Sequence, residues 1–221
     1  MRDSILSNIR QSLNKAKGLP QFFNPPILPV STPVDRETLI AQFAAEWQKL
    51  GGRFERVKAD EAVARTIALL TESGVKRVLA WEADSLPRPL ADLHGALRHE
   101  GFTLVDQMIS REEGLRQKQV EVLETAEAGL TGAVAAIAQV GGVVVKSGAG
   151  RGRLASLLAP LHIVFLEADR FHPTLADWWP NLDVEASNTV VIAGPSRTSD
   201  IERVLTLGAH GPKQVIAICV D

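Results

Sequence analysis

The chain has 221 residues, 45% of them hydrophobic and 23% charged, with 17 Gly and 12 Pro. This is the composition of a globular domain large enough to bury a core, and it excludes collagen, coiled-coil rods and wholesale disorder. With 24 basic against 26 acidic residues the formal charge is -2, so no net field draws the chain to nucleic acid or an anionic bilayer, and no apolar run approaches the roughly 20 residues of a transmembrane span.

Residues 1–17 predict a short amphipathic helix. Ile5, Leu6, Ile9, Leu13 and Ala16 share one stripe, and Asp3 or Ser4 can cap its start. Arg2, Arg10, Lys15 and Lys17 make it basic. A basic amphipathic helix suits a membrane surface. The short stripe without aromatic anchors fits better a docking arm on its own domain or on a second subunit. Pro20, Pro25, Pro26, Pro29 and Pro33 then predict an extended linker. The expected organisation is an arm and linker over 1–34 and an α/β domain over 35–221.

From Asp35 onward helical and extended patterns alternate. Asp35 caps a helix whose inner face is Leu39, Ile40, Phe43, Trp47 and Leu50, closed by Gly51-Gly52. A strand is predicted at 53–57. Asp60 then caps a helix bearing Val63, Ile67 and Leu70. A buried strand is predicted at 76–81, and Leu90, Leu93 and Leu97 mark another helix before Gly101. Further strands are expected at 102–105, 120–124, 142–146, 162–166, 189–193 and 214–220, with a helix over Ser199–Leu207. Alternation of this kind, with several strands apolar on both faces, predicts a Rossmann-like α/β fold with a mostly parallel sheet flanked by helices.

Cys219 is the single cysteine. It cannot close an intrachain disulfide or hold an iron–sulfur cluster, which usually takes four thiolates, so any such cluster belongs to a partner. The N-terminus, Met-Arg-Asp-Ser, lacks the apolar core of a secretory signal. Both features predict a reducing, cytoplasmic setting.

Ligands of parallel sheets sit beyond the carboxyl ends of the strands, and three loops are expected there. The first, Ser147-Gly148-Ala149-Gly150-Arg151-Gly152-Arg153, combines permissive glycines with guanidinium donors. The N-terminus of the helix expected after it adds anion affinity. The loop matches neither a P-loop nor a dinucleotide fingerprint, and the same residues fit a solvated turn. The second is Gly194-Pro195-Ser196-Arg197-Thr198, running into the capping-box pair Ser199 and Glu202. Arg197, Ser196 and Thr198 remain available for a ligand there. The third, Glu124 to Gly132, places Glu124 and Glu127 before Thr131 and Gly132. These carboxylates suit acid–base work if one pKa is raised, and otherwise are solvated loop charges. The five histidines form no metal box, and no serine has a nucleophile-elbow context. The expected ligand is a small organic anion or an unidentified cofactor held by Gly148, Gly150, Arg153, Ser196, Arg197, Thr198, Thr131 and Gly132, with Arg153 and Arg197 as the contacts for an anion.

Several segments together resemble one family. They are Gly129-Leu130-Thr131-Gly132-Ala133, Ile137-Ala138-Gln139-Val140-Gly141, His162-Ile163, Gly194 to Glu202, and Gly208-Ala209-His210-Gly211-Pro212. In order and spacing they are similar to the LUD domain of the lactate-utilisation protein C (LutC/YkgG) family, from about Leu39 to the end. The resemblance implies a fold similar to the NagB/RpiA/CoA-transferase-like superfamily. It also implies a part in oxidising L-lactate to pyruvate beside partner subunits that carry the iron–sulfur clusters. The chain departs from the family pattern at Val134 and Gln139, where acidic residues are usual, and at Val140, where Thr is usual. Two other readings stand beside this one. One is a stand-alone enzyme on a sugar phosphate or CoA ester with Glu124 or Glu127 as acid–base group. The other is a non-catalytic assembly subunit that forms a homo-oligomer through its N-terminal arm.

Overall fold

The computed structural model describes residues 2–15, 32–110, 112–183, 186–198 and 206–221. Contacts divide the chain into two units, Met1–Val30 and Ser31–Asp221. In the first, Arg2–Lys15 is a helix, α1, along which Ile5, Leu6 and Ile9 are exposed. The proline linker, apart from residues 32–34, lies outside the described residues.

In the second unit α2 (Arg36–Lys49) begins where the Asp35 carboxylate accepts the Thr38 amide at 2.9 Å. Its Leu39, Ile40, Phe43 and Trp47 are buried. Phe43 stacks on Trp47 with ring centroids 5.5 Å apart and meets Phe54 and Phe171 edge-on. The chain then runs through β1 (Arg53–Val57), α3 (Ala62–Glu72), β2 (Arg77–Ala80), α4 (Leu93–His99) and β3 (Thr103–Leu104). Two expectations shift here. Asp60 sits inside a 3-10 turn, Ala59–Glu61, and α3 starts without a side-chain cap. Leu90 belongs to a separate 3-10 turn, Arg88–Leu90, because Pro87 and Pro89 flank and occupy it and Pro lacks the amide a longer helix needs.

The predicted strand at 120–124 is a helix. It forms the end of α5 (Glu113–Leu123), where the Glu124 amide donates to the Val120 carbonyl at 2.9 Å. Val120 and Val122 favour a strand, but the Glu, Gln, Lys, Leu and Arg around them are stronger helix formers. Only Leu123 of this helix is fully buried.

The remaining elements are β4 (Ala128–Gly132), β5 (Ala135–Ile137), β6 (Gly142–Ser147), β7 (Leu161–Glu167), β8 (Phe171–His172), α6 (Leu175–Trp178), β9 (Asn188–Ile192), β10 (Arg197–Thr198), β11 (Thr206–Leu207) and β12 (Gln214–Val220). Six strands form a wholly parallel sheet in the order β1-β12-β7-β4-β2-β3. All of β4, and nearly all of β7 and β12, is buried, as expected of parallel strands covered on both faces. The fold is therefore α/β, with a mostly parallel sheet flanked by helices.

There is also a second sheet, β8-β5-β6-β9. In it the strands predicted at 142–146 and 189–193 pair antiparallel. The helix expected over Ser199–Leu207 is also corrected at its end. Thr206–Leu207 pairs with Arg197–Thr198 as a two-residue ladder, continued by the Gly208 amide on the Ser196 carbonyl at 2.9 Å. Residues 199–205, with the Ser199 and Glu202 capping box, lie outside the described residues.

Candidate functional site

The carboxyl edge of the parallel sheet holds a crevice of about 190 Å³. Its floor is the exit of β4, Gly132 to Val134, and one wall is Trp81, Ser85, Leu86 and Pro87 beyond β2. Arg151, Glu167 and Arg170 supply its charge. Backbone, apolar wall and a few charged groups converge here, as in small-ligand sites.

The glycine-rich loop reaches this crevice from the second sheet. Gly148 and Arg151 exchange backbone hydrogen bonds of 3.2 and 3.1 Å, which closes a tight turn. Gly150 has φ +67°, and a Cβ there would lie 2.8 Å from a Glu82 carboxylate oxygen. The loop is pinned from two sides. The Glu82 amide donates to the Gly150 carbonyl at 2.9 Å and the Trp81 indole to the Gly152 carbonyl at 3.0 Å. The Gln107 side-chain amide donates to the Gly150 carbonyl at 3.2 Å and accepts the Gly152 amide at 2.9 Å.

This geometry changes the roles expected of the loop. The amides of Gly148, Arg151 and Gly152 are spent on the protein rather than turned to an anion. The loop runs on into a 3-10 turn, Arg153–Ser156, and not into an α-helix with a free N-terminus. Arg153 is exposed and does not line the crevice, whereas Arg151 does. The Arg151 guanidinium lies over Gly148, is half-buried, and has no hydrogen-bond or ion-pair partner among the described residues.

Arg170 is a residue that sequence reasoning missed. Its signal is position: it lies just past the carboxyl end of β7, where the same topological rule applies. Its Nε is 3.5 Å from Glu167 and 3.6 Å from Asp169, long contacts on a half-exposed side chain.

The other predicted contacts lie elsewhere. Arg197 donates to the Leu50 carbonyl at the carboxyl end of α2, and Gly194 packs against Leu50. The Ser196 amide donates to the Pro212 carbonyl at 2.9 Å, and its hydroxyl accepts the His210 amide at 3.3 Å. Leu50 precedes β1 and Pro212 precedes β12, so this loop sits at the amino edge, opposite the crevice. The side chain of Thr198 lies outside those described.

Glu124 and Glu127 are at the amino edge too, because the segment before β4 is a helix. Glu124 is exposed. Glu127 accepts the Lys76 and Arg77 amides at 2.6 and 2.9 Å. These bonds hold its carboxyl below the ordinary carboxylate range, the reverse of what a general acid needs. Of the third loop only Gly132 lines the crevice. Thr131 is buried and bonded to His162 Nε2 at 2.8 Å.

Arg170 and Val134 also line a neighbouring cavity of about 320 Å³, with Lys146, His172, Trp178, Asn181 and Thr189 among its walls. Burial holds the His172 imidazole below its ordinary pKa. Cys219 is buried, and its thiol is pushed up to about 12, chiefly by burial. No group of three His, Cys, Asp or Glu side chains able to hold a metal occurs among the described residues. No helix among them is long and apolar enough to cross a membrane.

Comparison with known proteins agrees with this architecture. The chain is similar over its whole length to lactate utilization protein C of Bacillus pumilus, at 25% identity and covering 96% of that protein. The same protein of Halalkalibacterium halodurans is also 25% identical, with 100% of this chain and 97% of the relative aligned. The uncharacterized protein YkgG of Escherichia coli is 31% identical over 47% of this chain and 48% of its own length. The crystal structure of a DUF162 family protein from Deinococcus radiodurans superposes with a TM-score of 0.60 at 19% identity, covering 86% of this chain and 100% of that one. It has the same fold. The LUD domain family model matches residues 40–220, the parallel sheet and the crevice included, and the chain belongs to the LUD domain family.

Proposed function

We propose that this chain takes part in lactate utilisation by binding a small organic anion in the carboxyl-edge crevice, with Arg151 and Arg170 as the cationic contacts. The observation that carries the reading is the half-buried Arg151 guanidinium, which lines the crevice and has no partner among the described residues. A half-buried guanidinium that makes no ion pair is a strong receptor for a carboxylate. The names of the full-length relatives supply the metabolic context.

In this reading the chain serves the oxidation of L-lactate to pyruvate in the cytoplasm. It carries no iron–sulfur cluster, and the clusters reside on partner subunits of a lactate-oxidising system. The basic helix α1 is the docking arm, joining a second copy of the chain.

A thermal-unfolding panel on the purified chain with L-lactate and pyruvate tests the site. Ligand at about 100 times its Kd should add roughly 2.7 kcal/mol, a rise in Tm of roughly 5–10 °C for a domain of this size. The rise should vanish in Arg151→Ala and persist in Arg153→Ala and Arg197→Ala. A rise that survives Arg151→Ala but not Arg197→Ala would return the site to the amino edge. Full lactate oxidation by reconstituted partner proteins without this chain would remove the metabolic role.

A further inference from the structure

The crevice and its neighbouring cavity meet at Arg170 and Val134, which line both. Their chemistry is not the same. In the crevice two guanidiniums face the Glu167 carboxylate. In the second cavity Lys146 is paired with Asp183, and Asp169 faces Arg170, so its charges balance. Its other polar walls, His172, Asn181 and Thr189, are uncharged, since burial keeps the imidazole neutral. None of the three side chains has a hydrogen-bond partner among the described residues.

Among the described residues, one end of this trough therefore presents an unpartnered cation, and the other presents neutral donors and acceptors that make no hydrogen bond. A neutral imidazole offers one donor and one acceptor, an amide two donors and an acceptor, and a hydroxyl both roles. Hydroxyl groups match that set. L-Lactate, with three carbons, has nothing to place there. A phosphate monoester carries roughly two negative charges and would face Glu167 and Asp169 with a single unpartnered guanidinium to offset them.

We infer that the two cavities form one site for a monoanionic polyhydroxy carboxylate, with its carboxylate at Arg151 and Arg170 and its hydroxylated chain along His172, Asn181 and Thr189. The inference rests on the anion-site reading above and extends it to a longer substrate class.

Titration calorimetry on the full chain at neutral pH tests it with D-gluconate, L-lactate, D-sorbitol and glucose 6-phosphate. D-Gluconate should bind at least about tenfold more tightly than L-lactate, a difference of about 1.4 kcal/mol, and D-sorbitol should not bind. Asn181→Ala and Thr189→Val should bring D-gluconate down to the affinity of L-lactate and leave L-lactate unchanged, which also shows that these variants fold. Val134→Asp places a carboxylate where the cavities meet and should abolish D-gluconate binding by occupying Arg170 from within. Equal affinity for D-gluconate and L-lactate, both lost in Arg151→Ala, would overturn the extended site and leave the crevice standing. Binding of neither would overturn both. Tighter binding of glucose 6-phosphate than of D-gluconate would overturn the charge assignment.

Discussion

Thr131 and His162 are both fully buried and bonded to each other at 2.8 Å, while His162 Nδ1 has no partner among the described residues. Burial in so apolar a place pushes the imidazole down to about 3. The unfolded chain takes a proton on this ring below about pH 6.5, and the folded chain only near pH 3. Between those values unfolding binds a proton, so this group's contribution is complete above pH 6.5 and drains away as the solution is acidified toward pH 3. Thr131→Val strands the second ring nitrogen as well and should cost about 1–3 kcal/mol. Adding His162→Leu to Thr131→Val removes both polar partners, and much of the loss should return. Urea unfolding of the three proteins at neutral and mildly acid pH checks both points. A double variant as acid-sensitive as the parent would place the acid lability on other groups. The pairing itself is a tertiary fact, since sequence shows two polar residues on apolar strands but not that adjacent strands bring them together.

At the scale of elements, Gly129 governs how the site is assembled. A Cβ there would fall 1.7 Å from the Ala155 carbonyl oxygen, so the 3-10 turn Arg153–Ser156 rests directly on the backbone of β4. That turn is continuous with the loop that carries Arg151. Gly129→Ala must push the turn outward, at a cost of about 1–3 kcal/mol, and should weaken anion binding more than an equally destabilising change in β1, far from the loop. Comparison of Tm and ligand affinity in the two variants measures this, and unchanged affinity in Gly129→Ala would mean that the bonds from Trp81, Glu82 and Gln107 hold the loop without the turn. Much of this level was legible in sequence. Long apolar runs such as Val215–Val220 and Ile163–Leu166 announce parallel strands because both faces are buried. The glycines at 148, 150 and 152 announce a close approach. What could not be read was partner choice. Gly142–Ser147 looks like any other buried strand, yet it pairs antiparallel in a separate sheet. Arg197, in a loop after another strand of that sheet, therefore arrives at the carboxyl end of α2 rather than at a ligand.

At the scale of the whole chain, the docking role proposed for the arm separates association from stability. The parallel sheet, the second sheet and both cavities lie within Ser31–Asp221. The first unit offers α1, where Ile5, Leu6 and Ile9 are 54%, 40% and 50% exposed. Three large apolar side chains within two turns, with Arg10 beside them, gain stability from being covered. Phe43, Trp47 and the six strands build the core of the second unit. Deleting residues 1–30 should therefore leave the Tm within about 2 °C of the full chain, a change under about 1 kcal/mol for a domain of this size. In sedimentation velocity the truncated protein should run as a monomer and the full chain as a larger species. Anion binding should survive the deletion, because the described lining residues of the crevice lie within Ser31–Asp221. A large fall in Tm would show that α1 belongs to the core, and an unchanged mass would show that copies of the chain do not meet through the arm. Lost anion binding at unchanged Tm would mean that the arm completes the site in solution, a different molecule from one whose carboxyl-edge crevice suffices.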